Sequence, residues 1–194
     1  MMMKKILVLV LVLGLASTAN AALFISVGGE PNPGEIEVKP SDTVVLDIHG
    51  DDPTDGGPAE AYMLVEGPGS ITGGTLIYGG GLAVYLNAEE LAEALELPDA
   101  EALIQAWSDA LGKPDLSDVS YGLFADSDIP PNDFLNGPLV DEIAFHCEGE
   151  GLVTVTLVDQ TFENVLDTLA IVQVPEPMTF ALLGLGGLFL RRRK

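Results

Sequence analysis

The chain has 194 residues, with 30 acidic and 8 basic side chains and a formal net charge of −22 at pH 7. A field of that sign repels phosphate backbones, which excludes nucleic acid as a partner. The single cysteine, Cys147, excludes an intrachain disulfide, so stability must come from one apolar core, for which about 150 residues suffice.

In chain order, Met1–Lys5 is a short basic region, Ile6–Leu15 an apolar run, and Ala19-Asn20-Ala21 has the small-x-small pattern of a cleavage site. These predict a signal peptide over residues 1–21, cut between Ala21 and Ala22, with the secretion machinery and signal peptidase as partners. Six of the basic residues lie at the two ends of the chain. Residues 22–173 keep only Lys39 and Lys113 against 29 acids, a net charge of −27.

Leu23–Val27 predicts a first strand, and Gly28–Gly34 a turn-rich loop. Ile36 and Val38 alternate with Glu35 and Glu37, and Thr43–His49 is strand-like. Gly50–Pro58, which holds Asp51, Asp52 and Asp55, predicts a loop. Ala61–Val65, Gly73–Tyr78 and Leu82–Leu86 predict further strands, with Gly67–Gly73 read as a turn.

Periodicity changes at Asn87. Asn87 and Glu90 have capping-box spacing, and Leu91, Ala94 and Leu95 follow at helical intervals. Pro98-Asp99 starts a second helix whose apolar face is Leu103, Trp107, Ala110 and Leu111, ended by Gly112 and Pro114. This predicts a two-helix insert over about 88–111, laid across an edge or end of a sheet, with Trp107 as its core anchor.

Tyr121–Ala125 resumes strand character, and Asp126–Pro138 predicts a loop. Leu139–Cys147 and Gly151–Asp159 predict an antiparallel pair across Glu148-Gly149-Glu150, and Leu169–Val174 the last strand. The fold class expected for residues 22–173 is mainly β, an acidic antiparallel β-sandwich ectodomain carrying the helical insert.

Little here supports catalysis. Gly67-Pro68-Gly69-Ser70-Ile71-Thr72-Gly73 misses the Gly-x-Ser-x-Gly spacing, and His49 and His146 are the only histidines. His49 is expected at a loop edge and His146 on a solvent face. Cys147 shares a strand face with Ile143 and Phe145 and reads as a buried hydrophobe. Asp126, Asp128 and Asp133 form a candidate calcium set, and Asp51, Asp52 and Asp55 a second one, although neither has EF-hand spacing. No other cofactor is expected, and the chain is read as a non-enzyme.

The C-terminus is the most specific stretch. Val174-Pro175-Glu176-Pro177 is biased to extended backbone, Met178–Leu190 is apolar or small throughout, and Arg191, Arg192, Arg193 and Lys194 close the sequence. A helix over Met178–Leu190 satisfies its own backbone in lipid, but at about 1.5 Å per residue it reaches roughly 20 Å against a hydrocarbon core of about 30 Å. Such a short transmembrane helix suits a transient handle, with the basic tail on the cytoplasmic side.

Residues 174–194 resemble the PEP-CTERM sorting signal of Gram-negative bacteria. The resemblance implies that an exosortase, a membrane-embedded protease and transpeptidase, reads Pro175, Glu176 and Pro177. It implies export across the inner membrane, transient anchoring, and release to the cell surface or exterior. In strand chemistry and spacing, Ile36–Gly50 and Ile143–Phe145 with Gly151–Val155 are faintly similar to the ends of cohesin-like sandwiches, from which the helices at 87–111 depart. The resulting expectation is a surface-sorted structural or adhesive protein of the envelope or exopolysaccharide matrix of a biofilm. A carbohydrate-binding or cohesin-like docking module is the alternative, and a secreted hydrolase a third.

Overall fold

Alternating apolar residues need a second apolar surface to face, and among the described residues eleven strands provide it as two packed sheets. The computed structural model describes residues 23–31, 33–39, 41–51, 59–77, 82–125 and 136–174. The strands are β1 (Leu23–Val27), β2 (Glu30–Pro31), β3 (Glu35–Val38), β4 (Thr43–Asp51), β5 (Ala59–Glu66), β6 (Gly69–Leu76), β7 (Leu82–Asn87), β8 (Leu116–Ala125), β9 (Asn136–Cys147), β10 (Gly151–Asp159) and β11 (Val165–Gln173). The helices α1 (Ala88–Ala94) and α2 (Ala100–Leu111) separate β7 from β8.

The first sheet runs β2-β1-β4-β9-β6 and the second β3-β11-β10-β5-β8-β7. Every pairing is antiparallel except β3 with β11, which is parallel, so the second sheet is mixed rather than purely antiparallel. Ile25, Leu46, Ile143 and Phe145 from one sheet meet Val65, Phe124, Val155, Leu157 and Ile171 from the other, all fully buried. Cys147 lies in this core, as its strand face requires.

Several expectations change. β9 and β10 do not form a hairpin: β9 sits between β4 and β6, and β10 between β11 and β5, so Glu148–Glu150 crosses from one sheet to the other. Ser70–Gly73 belongs to β6, leaving only Gly67-Pro68 as the turn. A Cβ at Gly67 would meet the Leu152 carbonyl at 2.6 Å. β4 continues through Gly50 and Asp51, and β9 begins at Asn136, inside the expected loops.

Both helices start as their sequence dictates. The Asn87 carboxamide accepts from the Glu89 and Glu90 N–H groups, while Glu90 accepts from the Asn87 N–H, and Asp99 accepts from Ala102. Gly112 ends α2 at φ 66°. Their placement differs from an edge or end. They cover the outer face of the second sheet, where Tyr62, Leu64, Val119, Tyr121 and Val158 would otherwise expose a broad apolar surface. The buried side of α2 is Ala100, Leu103, Ile104, Trp107 and Leu111, with Ala110 exposed.

Three inward polar side chains join the sheets. The Asp118 carboxylate on β8 accepts the Ile71 N–H of β6 at 2.7 Å, and Asp167 on β11 accepts the Ile25 N–H of β1 at 2.8 Å. Each aspartate is at least nine-tenths buried. Gln173 makes the third junction, donating to the Pro68 carbonyl at 2.8 Å and accepting from the Gly149 N–H. Asp118→Ala leaves the Ile71 N–H without its acceptor, and chemical denaturation should register a loss of about 1–3 kcal/mol; Asp118→Asn, which keeps a carbonyl oxygen there, should lose less.

Candidate functional site

β11 holds the chain in the sheet up to the start of the C-terminal stretch. Leu169, Ile171 and Gln173 point inward, and Ala170–Gln173 pairs with Glu35–Val38. The Val174 N–H then donates to the Val38 carbonyl at 2.8 Å. Pro175 follows and has no N–H with which to extend the ladder. No slack separates the folded body from the Pro-Glu-Pro stretch.

Registers place the strand ends in two groups. Cys147, Gly69, Glu66, Leu116, Gly151 and Gln173 lie at the end where the chain leaves for residue 175. Leu23, Asp51 and Asn136 lie at the opposite end of the first sheet, as Ala59, Leu82 and Ala125 do in the second. The segments 52–58 and 126–135 therefore leave from neighbouring strands at the end far from the junction. Asp126, Asp128 and Asp133 lie outside the described residues, as do Asp52, Asp55, Ala21, Ala22, Pro175, Glu176, Pro177, the Met178–Leu190 run and Arg191–Lys194. Among the described residues no helix is long and apolar enough to cross a membrane, and no group of three or more His, Cys, Asp or Glu fits a metal ion.

At the junction end a groove of about 560 Å³ is lined by Glu66, Gly67, Pro68, Asp115, Leu152 and Thr154. Lys113 pairs with Glu66 on its wall, and Leu152 is 59 % exposed beside it. This groove has acidic rims and one apolar prominence. Sequence reasoning missed it because it forms from two turns and the start of β10, which only the sheet pairing brings together.

The residues considered for chemistry are engaged elsewhere. His146 spans three strands, bonded to the Thr43 and Thr72 hydroxyls at 3.1 and 3.0 Å on the outer face of the first sheet. His49 is not at a loop edge: it lies in β4 and stacks on Phe24. Burial raises the Cys147 thiol pKa, with Asp42 adding to the effect, so the thiolate is disfavoured. Trp107 and Tyr121 both pack on Tyr62, the first edge-on at 5.1 Å and the second at 4.9 Å, and Phe162 stacks on Tyr62 at 4.7 Å. Phe162 is held at φ 59° by a turn in which Asp159 accepts from Thr161 and Asn164.

Carboxylates follow their surroundings. Burial raises Asp47, and a hydrogen bond with Asp141 raises it further, while that same bond lowers the exposed Asp141. The Glu142 N–H donates to both, which holds Glu142 at φ 61° where β9 slips register against β4. Burial also raises Asp118 and Glu60, the latter opposed by its hydrogen bond with Tyr121.

The sequence beyond the junction decides the reading. Residues 173–194 match the family model of the PEP-CTERM protein-sorting motif. The motif implies export and C-terminal membrane anchoring or sorting in Gram-negative bacteria, with an exosortase as the enzyme that recognises it. Among curated proteins no sequence matches this chain. Among solved structures, the sixth cohesin of scaffoldin B from Acetivibrio cellulolyticus, in complex with a dockerin, is similar at 11 % identity and TM-score 0.43, covering 80 % of this chain and 100 % of that one. A type I cohesin–dockerin complex from Clostridium thermocellum is similar at 9 % identity and TM-score 0.38, covering 78 % and 99 %. At these values the likeness is weak and carries no functional information.

The carboxyl shifts give a pH dependence. Asp47, Glu60 and Asp118 have folded pKa values above their ordinary 3.8 to 4.5, so their contribution to stability is complete below those values and is lost as pH rises through the folded ones. Burial raises Asp159 too, but the bonds from Asn164 and Thr161 outweigh it and leave its pKa lowered, so its contribution is lost only on acidification below 3.8. The melting temperature should therefore rise as pH falls from neutrality towards the raised pKa values and turn down below 3.8. Asp118→Asn should flatten the rise in a thermal-denaturation series.

Proposed function

We propose that this protein is a non-catalytic, exported module, cut at its C-terminus by an exosortase and delivered to the cell surface or exopolysaccharide matrix as a structural or adhesive component. The observation that carries this reading is the PEP-CTERM motif at residues 173–194, beginning where the last strand stops. Signal peptidase removes residues 1–21, and the inner membrane holds Met178–Leu190 until processing. A body of charge −27 stays soluble and self-repelling as it passes through the periplasm.

The alternative is a carbohydrate-binding or protein-docking module. Such a module would stack sugar on aromatic side chains, but Trp107 and Tyr121 are packed in the cluster between helices and sheet, which favours the structural reading. In the matrix, divalent cations would link acidic loops to acidic polymer, with Asp126, Asp128 and Asp133 as the calcium ligands. Calcium at about ten times its Kd would then stabilise the protein by about 1.4 kcal/mol. Thermal melts with and without calcium should show that rise, and Asp126→Asn, Asp128→Asn and Asp133→Asn combined should abolish it.

Processing is tested by the intact mass of the mature protein from its own host. The expected chain starts at Ala22 and ends between Pro175 and Pro177, with or without an added group. Replacing Pro175, Glu176 and Pro177 by alanine should leave Lys194 in place and the protein in the membrane fraction. A mature wild-type pool that still ends at Lys194 would sink the sorting reading.

A further inference from the structure

Taking the sorting reading as given, we propose that the junction end of the sandwich is itself a docking surface for the membrane-bound sorting protease. The Gln173 side chain is bonded to Pro68 and Gly149, and the Val174 backbone to Val38. The Pro-Glu-Pro stretch begins one residue later, and four residue steps separate Val174 from Met178, the first residue of the apolar run. Fully extended, those steps span about 14 Å. A protease that holds residues 175–177 at the membrane boundary therefore meets the folded body.

What it meets is defined by the fold. Glu148–Glu150 and Gly67-Pro68 touch the junction directly through Gln173, and the groove with Asp115, the exposed Leu152 and Glu66, already paired with Lys113, lies beside them. The partner this surface fits carries cations around a small apolar contact. The opposite end, with the Asp159–Asn164 turn, points away from the membrane and stays clear of the enzyme.

The test places the photo-crosslinker p-benzoylphenylalanine at Leu152, at Glu150 or, as a control, at the exposed Glu163 of the far end, in the full-length precursor in its own host. A ten-residue Gly/Ser spacer between Val174 and Pro175 forms the second arm. Crosslinks to a membrane protein are expected from Leu152 and Glu150 and not from Glu163. The spacer should reduce them about sixfold, the −3/2 power of a tether lengthened from four residues to fourteen. Equal crosslinking from all three positions, none from the junction end, or indifference to the spacer would each overturn the proposal. The C-terminal mass is read in parallel: trimming without junction-end crosslinks defeats this inference alone, and absence of trimming defeats the sorting reading and this inference with it.

Discussion

The two sheets are held to each other at their margins by polar side chains that point the wrong way for a strand. Asp118 and Asp167 turn inward from the second sheet and take up the backbone N–H groups of Ile71 and Ile25, while Gln173 ties the junction end through Pro68 and Gly149. An edge strand otherwise presents unpaired donors to any passing chain, and a buried donor without an acceptor is costly. One carboxylate meets both demands at each margin. The arrangement costs desolvation, which is why Asp118 resists ionisation although two N–H groups point at it.

Charge density sets the second constraint. With 29 acids between residues 22 and 173, some are forced into burial or into each other's company, as the bonded Asp47 and Asp141 are. Their strained neighbour Glu142 persists because both carboxyls accept its N–H. The aromatic residues follow the same economy of surface. Tyr62, Tyr121 and Phe162 would form a platform if the helices were absent; covered by α1 and α2, with Trp107 of α2 packed on Tyr62, they become part of a second core.

The fold also gives the molecule a direction. Its last described strand runs into the sorting motif without a linker, so the anchoring or sorting that the motif implies acts at one end of the body. The strands flanking the Asp-rich segments 52–58 and 126–135 end on the other side.

Sequence alone determined the elements whose signals are local. Short apolar runs mark β1 and the central part of β5, alternation marks β3, β4 and the central parts of β9 and β10, and Asn87, Glu90, Asp99 and Gly112 set the helix ends through bonds to neighbours within a few residues. The C-terminal sorting motif was legible for the same reason, because a protease reads it as a linear string. Only tertiary structure decided the rest. β8 and β11 read short from the sequence because Asp118 and Asp167 interrupt their apolar alternation, and the partners that justify those aspartates lie 47 and 142 residues away. The strand pairing of β9 and β10, the placement of the helices on a sheet face and the groove at the junction end depend likewise on contacts between distant segments, which no local pattern encodes.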